Sequence, residues 1–531
     1  MGRVIKQSLY TLMAAAFYLV TTTAAYAVQT TEQGAVELKT KITSLLEERK
    51  KIFSSMTEDA DVGLVYTGEI TVTPQQGYYN AVLPSISFVL PESTEIVLGQ
   101  MVVNIIPDSD EQWRISMAIP NKMIVTDQGQ EIIEVVFGEQ KIAGIWNPKL
   151  DLYPKMDAQF KNITAKTLLP IEGSSTFEFK IAALKNFVDF NKTNTGNYSG
   201  PQKFEMQGFE LVGIDKGQKI NVAIDTVLSN ATYIDMDLEG AANLKNIFLE
   251  METKTQDQNT EVAKQEFSRL YGVLKNMIAS ATADFAIKGL RAEFQSEEDP
   301  APAKFEIASI EYKARVDGLR NDNALIELSN SMNGLYINGV SVDMKDFIPT
   351  QTSMGIRLEN IPYQSLLTKA EADISTVLDE AEKAGDDLAQ KAMSELGGAY
   401  LKMLTTSGSK LRFYDTFMKS AAIDVDFSGD VQPDQNSPFS TVATLKLTIR
   451  GLDEALQKYG AMAQRGELSQ EIKMAMQPMA MLQSFGQQET DKNGTAIRAY
   501  NLEVTTSGQV MLNGSDMSMM MGGLMGGAVT R

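Results

Sequence analysis

The chain has 531 residues, a net charge of -20 and neither cysteine nor histidine. Those two absences exclude disulfides, thiol nucleophiles, zinc–thiolate and zinc–imidazole sites, and both the Ser-His-Asp and Cys-His catalytic arrangements. The charge repels nucleic acid and anionic headgroups, so neither nucleic acid nor a bulk anionic membrane is an expected partner, while 43% hydrophobic residues are enough for a packed core.

Met1 to Ala27 reads as a secretory leader: Arg3 and Lys6, an apolar run from Leu9 to Val20, then the small-residue exit Ala25-Tyr26-Ala27. Cleavage there places a mature chain starting at Val28 in the periplasm. Left uncleaved, the segment would be an inner-membrane anchor, because Leu9 to Ala27 approaches the ~20 residues of a membrane span. A cysteine-free exported chain must draw its stability from packing, which suits a bacterial periplasm.

Residues 28–60 hold an amphipathic helix, with Leu38, Ile42, Leu45 and Ile52 at helical spacing and the run "EERKK" toward solvent. Residues 61–260 change to period two. Phe177, Phe179 and Ile181 alternate with Glu178 and Lys180, and Ile220, Val222 and Ile224 repeat the pattern, with turn signals such as Gln76-Gly77 between runs. The alternation slips at Gly208, where Phe204 and Met206 give way to Phe209 and Leu211, predicting a bulge or a corner.

Three further helices are predicted. The first carries Ala263, Phe267, Leu270, Leu274 and Met277, and the second runs from about Tyr363 to Leu404. The third starts near Asp453, and Gly466 and Pro478 should interrupt it.

A shift of 140 residues lays "SATADFAIKG" (Ser280 to Gly289) on "SAAIDVDFSG" (Ser420 to Gly429). Each copy is followed by a polar, proline-containing loop and a strand ending in Gly-Leu. This predicts a unit of helix plus strand-loop-strand hairpin used at least twice, over 261–361 and again in 362–531, where a C-terminal helix, strands and a Gly/Met tail follow. The second copy holds Asp424, Asp426 and Asp430 near the spacing of a calcium loop. Under the shift Asp426 falls on Ala286 and Asp430 on Leu290, while Ile423, Val425 and Phe427 keep the apolar alternation. Gln435 also stands where a calcium loop wants a bidentate glutamate. The strand reading is the stronger.

Met474, Met476, Met479 and Met481 form a thioether cluster of the kind that selects Cu(I), joined in the tail by Met517, Met519, Met520, Met521 and Met525. Against that stands methionine's ordinary use as an adaptable core filler. Hydrolysis without histidine would call for paired carboxylates, which 68 acidic residues leave unassigned. Trp113 and Trp146 lie in strand-like text and read as core, Ser407, Ser409 and Lys410 form a chance-level Ser-Lys grouping, and "GGLMGG" lacks the Lys-Ser/Thr of a phosphate loop. No cofactor is expected.

"TLKLTIRGLDEALQKYG" (Thr444 to Gly460) followed by "RAYNLEVTTSGQVMLNG" (Arg498 to Gly514) resembles the closing part of exported proteobacterial proteins of the YdgA-like kind. The strand-after-strand style is more distantly similar to AsmA-like envelope proteins, which implies lipid handling in an elongated groove. The resemblance supplies no catalytic residues.

The expected fold is α+β, with large twisted antiparallel sheets and amphipathic helices packed on one side. The expected function is a non-enzymatic periplasmic scaffold, or a binding or transport protein for an apolar, lipid-like ligand or an envelope protein partner. A histidine-independent hydrolase of envelope polymer is the rival, and Cu(I) binding the third reading.

Overall fold

In the computed structural model, residues 30–518 are described except for 56–62, 91–93, 110, 151, 172–174, 216, 256–259, 297–301, 340–344, 385–396, 469 and 492–493. The leader at 1–27 and the tail methionines from Met519 onward lie outside the described residues. The fold is α+β: a large, mostly antiparallel multi-strand sheet, not closed into a barrel, with helices packed alongside it. The chain forms two compact units, residues 1–232 with 286–305 and residues 233–285 with 306–531. Among the described residues no helix is long and apolar enough to cross a membrane.

The first unit opens with helix α1 (Glu32–Ser55), which buries Ala35, Leu38, Ile42 and Leu46. Leu46 takes the inward place expected of Leu45, which stays half-buried. Short strands follow: β1 (Gly63–Thr67), β2 (Thr71–Gln75), β3 (Tyr78–Val82), β4 (Ser85–Leu90), β5 (Thr94–Gly99), β6 (Val102–Pro107), β7 (Trp113–Ala118) and β8 (Lys122–Asp127). They converge on β9 (Gln130–Asn147), whose first half pairs with β8 and whose second half pairs with β7. One branch therefore runs β9–β8–β5–β4–β1 and the other β9–β7–β6–β3–β2. The core of this unit is built from their alternating residues, such as Ala81, Ile96, Val103, Ile105 and Val125. Trp113 and Trp146 stand opposite each other in the β7–β9 register, fully buried, with ring centroids 5.7 Å apart at 77°.

Long strands continue from β9: β10 (Leu152–Thr167), β11 (Thr176–Asp189), the short β12 (Asn191–Lys192), β13 (Tyr198–Asp215) and β14 (Gln218–Met236). The phase slip read at Gly208 is real, and four strands share it. Gly138 on β9, Asn162 on β10, Ala182 on β11 and Gly208 on β13 occupy one row that the pairing skips. Asn162 and Gly208 adopt left-handed φ values of 52° and 62° there, and a Cβ on Gly208 would come within 3.0 Å of the Ala182 Cβ. Because every strand slips together, the register is preserved while the sheet turns a corner.

The second unit holds the end of β14, helices α2 (Leu238–Thr255) and α3 (Thr260–Asn276), the start of β15 (Ser280–Gln295), most of β16 (Ala303–Asp317), and strands β17 (Ala324–Asn333), β18 (Tyr336–Ile337) and β19 (Gln351–Ile361). Helix α4 (Tyr363–Ala384) follows, then a helical stretch over 397–406, β20 (Lys410–Lys419), β21 (Asp424–Pro433) and β22 (Thr441–Arg450). Helices α5 (Leu452–Gln464) and α6 (Gln470–Phe485) precede the closing strands β23 (Gln487–Thr490), β24 (Ala496–Val504), β25 (Val510–Leu512) and β26 (Ser515–Asp516). The three boundaries between units fall within β14, β15 and β16.

Three details differ from the sequence reading. Residues 238–255 are helical, where the sequence reading continued the strand pattern to residue 260, because the period-two run stops at Met236 and Asp237 Oδ1 caps the new helix by accepting from the Gly240 N–H at 2.9 Å. The hairpin β21–β22 does not follow a helix directly, since β20 stands between. Pro478 sits inside α6 instead of ending it. Both Pro478 and Met474, whose carbonyl loses its helical donor, lie on the exposed side of that helix, where water can serve the carbonyl.

Candidate functional site

In the second unit, β16, β17, β19, β20, β21, β22 and β24 pair in that order, each antiparallel to the next. Because side chains alternate, their registers assign every residue to one of two faces. One face carries Tyr312, Ala314 and Val316 of β16, Ile326, Leu328 and Met332 of β17, and Met354, Ile356 and Leu358 of β19. It continues with Leu411, Phe413 and Met418 of β20, Val425, Phe427 and Val431 of β21, Leu445, Leu447 and Ile449 of β22, and Tyr500 and Leu502 of β24. Asn330, Thr352, Thr416 and Thr441 are its polar members, and among the residues the registers assign to it no charged side chain enters before Arg498, at its far margin; Asp415 sits in the irregularity of β20 and is assigned to neither face.

Helices close this apolar face at both strand ends. At one end Val316, Ala324 and Ile361 pack with Ile278 and Leu319 and with Tyr363 at the start of α4. There Gln364 donates to the Lys275 and Leu319 carbonyls at 2.8 and 2.7 Å, and Lys275 of α3 pairs with Glu371 of α4 at 2.7 Å. At the other end Ile449, Tyr500, Val425 and Leu447 pack beneath Leu456 of α5 and Met479 of α6. Arg498 is held there by Asp453, with the guanidinium Nη2 at 3.0 Å. Between the helices the face is open: Tyr312 is 51% exposed, Leu328 53% and Met354 42%. Exposed apolar groups of this number on adjacent strands are unusual for a surface with no partner. The result is a trough across the strands, with an apolar floor and helical cover at two opposite corners, over β16, β17 and β19 at one strand end and over β21, β22 and β24 at the other.

The opposite face is polar and closed by ion pairs. Arg357 donates to Glu327 at 2.8 Å and lies 5.0 Å from the Tyr414 ring, whose hydroxyl donates to the same carboxylate at 2.7 Å. Glu359 stands between Arg357 and Arg412, and Asp430 takes both Arg412 and Lys410. Burial pushes the Glu327 and Asp430 carboxyls up, but the hydrogen bonds from Arg357 and Tyr414, and from Lys410 and Arg412, outweigh it and leave both below the ordinary carboxylate range. Burial, with the hydrogen bond to Glu327, pushes the Tyr414 phenol up to about 12. Among the described residues every carboxyl with a displaced pKa is displaced downward. Such groups hold charge at neutral pH, whereas a general acid needs its pKa raised.

These directions fix a pH dependence. A carboxyl lowered by folding stabilises the fold fully above its unfolded pKa, about 4, and that contribution is lost as pH falls through the lower native value. With no histidine in the chain, no side chain of ordinary pKa titrates between about pH 5 and 8. The urea midpoint should therefore stay flat from about pH 5 to 8 and fall below about pH 4; a marked step near pH 6.5 would contradict this.

The residues singled out from the sequence are placed as follows. Asp424, Asp426 and Asp430 lie on β21, in a strand, on the polar face; Asp424 and Asp426 share Arg450 at 3.3 and 3.8 Å. Among the described residues no group of three or more potential carboxylate ligands gathers to hold a metal. Met476 and Met479 face the core beside Tyr459 and Ile472, while Met474 and Met481 point outward on the opposite side of α6, so the four thioethers do not meet. Lys410 turns to Asp430 at 2.7 Å, and Ser409 donates to the Asn360 carbonyl at 2.9 Å. On the polar side a shallow, open depression of about 350 Å³ is lined by Asp430, Thr444, Glu503 and Thr505 among others.

Among the trough residues Val425 and Phe427 were singled out by sequence, but only as alternating strand positions. The signal is the phase of alternation in each strand, which marks a face only once the strands are aligned. No protein-family model, no curated protein and no solved structure matches the chain.

Proposed function

We propose that this is a non-enzymatic protein of the bacterial envelope, exported by its leader, whose trough binds the acyl chains of lipids. The observation that carries the proposal is the largely apolar face from β16 to β24, open in its middle and flanked by helices. Six inter-strand spacings of about 4.8 Å make it ~29 Å long. An acyl chain fills half of a ~30 Å hydrocarbon core, about 15 Å, so the floor has room for more than one chain end to end. A small apolar metabolite would leave most of such a floor wet. The similarity to AsmA-like envelope proteins seen in the sequence implies the same class of ligand. The passive polar face, whose carboxylates are matched to cations, suits a carrier more than a hydrolase.

Native mass spectrometry of protein isolated from its own envelope fraction tests the proposal. Adducts with lipid masses are expected, and a lipid-free chain after gentle isolation would contradict it.

A further inference from the structure

Helix α6 is apolar on two opposite sides. Ile472, Met476 and Met479 face inward and join the clusters under α5. At 100° per residue, Met474, Pro478, Met481, Leu482 and Phe485 fall within a ~100° stripe on the other side. All five are exposed, Met474 at 63% and Met481 at 59%. This stripe is separate from the trough, since α6 stands between the two.

Two features identify what covers it. The first is charge. From Met474 to Gln488 there is no Asp, Glu, Lys or Arg, in a chain whose net charge is -20. A neutral ridge escapes the repulsion that the rest of the surface would meet at a phosphate-bearing plane. The second is area. Five half-exposed side chains amount to roughly 300–400 Å², well under the ~800 Å² per partner of a stable protein interface. A bilayer needs no such area, because each inserted apolar side chain gains on its own by leaving water.

We propose that the outer stripe of α6 is a membrane-docking ridge that inserts Met474, Met481, Leu482 and Phe485 into the interfacial layer of a bilayer. Its recognition is apolar and headgroup-independent. It stands apart from the lipid-carrying reading: a chain that docks but carries no lipid would leave the ridge intact and overturn only the trough.

The absence of cysteine makes the test site-specific. An environment-sensitive fluorophore is attached to Met481→Cys or to Ala480→Cys, its exposed neighbour off the stripe, in the full chain, and phosphatidylcholine vesicles are added. The label at 481 should shift to the blue and the label at 480 should not. Adding Met474→Glu should weaken the response at 481 by about tenfold in vesicle concentration, and Met474→Lys should weaken it equally. Raising the salt tenfold should leave it unchanged. No shift at 481, equal shifts at 480 and 481, or retention by the lysine variant alone would each overturn the proposal. So would a loss of self-association in the Met474→Glu variant with vesicle binding intact, which would assign the stripe to a second copy of the chain.

Discussion

Leu328→Lys or Met354→Lys should remove bound lipid from the isolated protein by at least tenfold while leaving its fold in place. Both side chains belong to the open middle of the apolar face, on the adjacent strands β17 and β19. An ammonium there either keeps its water, and so displaces the acyl chain, or loses it at a cost of several kcal/mol. Tenfold needs only about 1.4 kcal/mol, so the expected loss is a lower bound. Because both positions are more than a third exposed, the folded state should lose little, within roughly 0.5 kcal/mol. Ser329→Lys and Ser353→Lys, on the same two strands but the polar face, are the controls and should retain lipid. Native mass spectrometry of the four variants checks this, and lipid retained by the two apolar-face variants would contradict the trough.

The largest effect on stability is expected from Trp113→Ala. Trp113 has no exposed surface, stacks edge-on with Trp146, and donates its indole N–H to the Ser109 carbonyl at 3.0 Å. Truncation leaves a cavity where β6, β7 and β9 meet, which costs about 3–5 kcal/mol; Ser109 is exposed, so water can serve its freed carbonyl. The two tryptophans are the only ones in the chain and both lie in the first unit. Trp146 fluorescence in the variant therefore follows unfolding of that unit alone. With m-values of about 1–3 kcal/mol/M, the urea midpoint should drop by 1 M or more. A shift worth less than about 1 kcal/mol would mean that the pair is not the anchor its burial suggests.

Much of the architecture is legible in residue order, and what is not has a physical reason. Alternation of Phe177, Phe179 and Ile181 marks β11 because a half-buried strand must alternate, and the slip at Gly208 marks a corner because a left-handed residue breaks that rule. That Gly138, Asn162 and Ala182 join the same corner is invisible, since it depends on which strands lie side by side. The trough is hidden for the same reason. Residues such as "ALIELSNSMN" on β17 are too rich in serine and asparagine to declare a face, and only pairing with β16 and β19 aligns Leu328 with its apolar neighbours. Helix α6 shows the limit of local rules: Pro478 argues for a break, yet Ile472, Met476 and Met479 bury the opposite side and hold the helix together. The aspartates of β21 were legible as strand residues, but their cation partners, Arg412 on β20 and Arg450 on β22, come from neighbouring strands.

The most direct test asks which face of β17 meets lipid. A photo-reactive benzophenone side chain installed at position Leu328, or at its neighbour Ser329, is irradiated in cells before the protein is isolated. The trough predicts a covalent adduct of lipid mass at 328 and none at 329, because the two side chains leave the strand in opposite directions. Lipid at 329 and not at 328, or at neither, would contradict it.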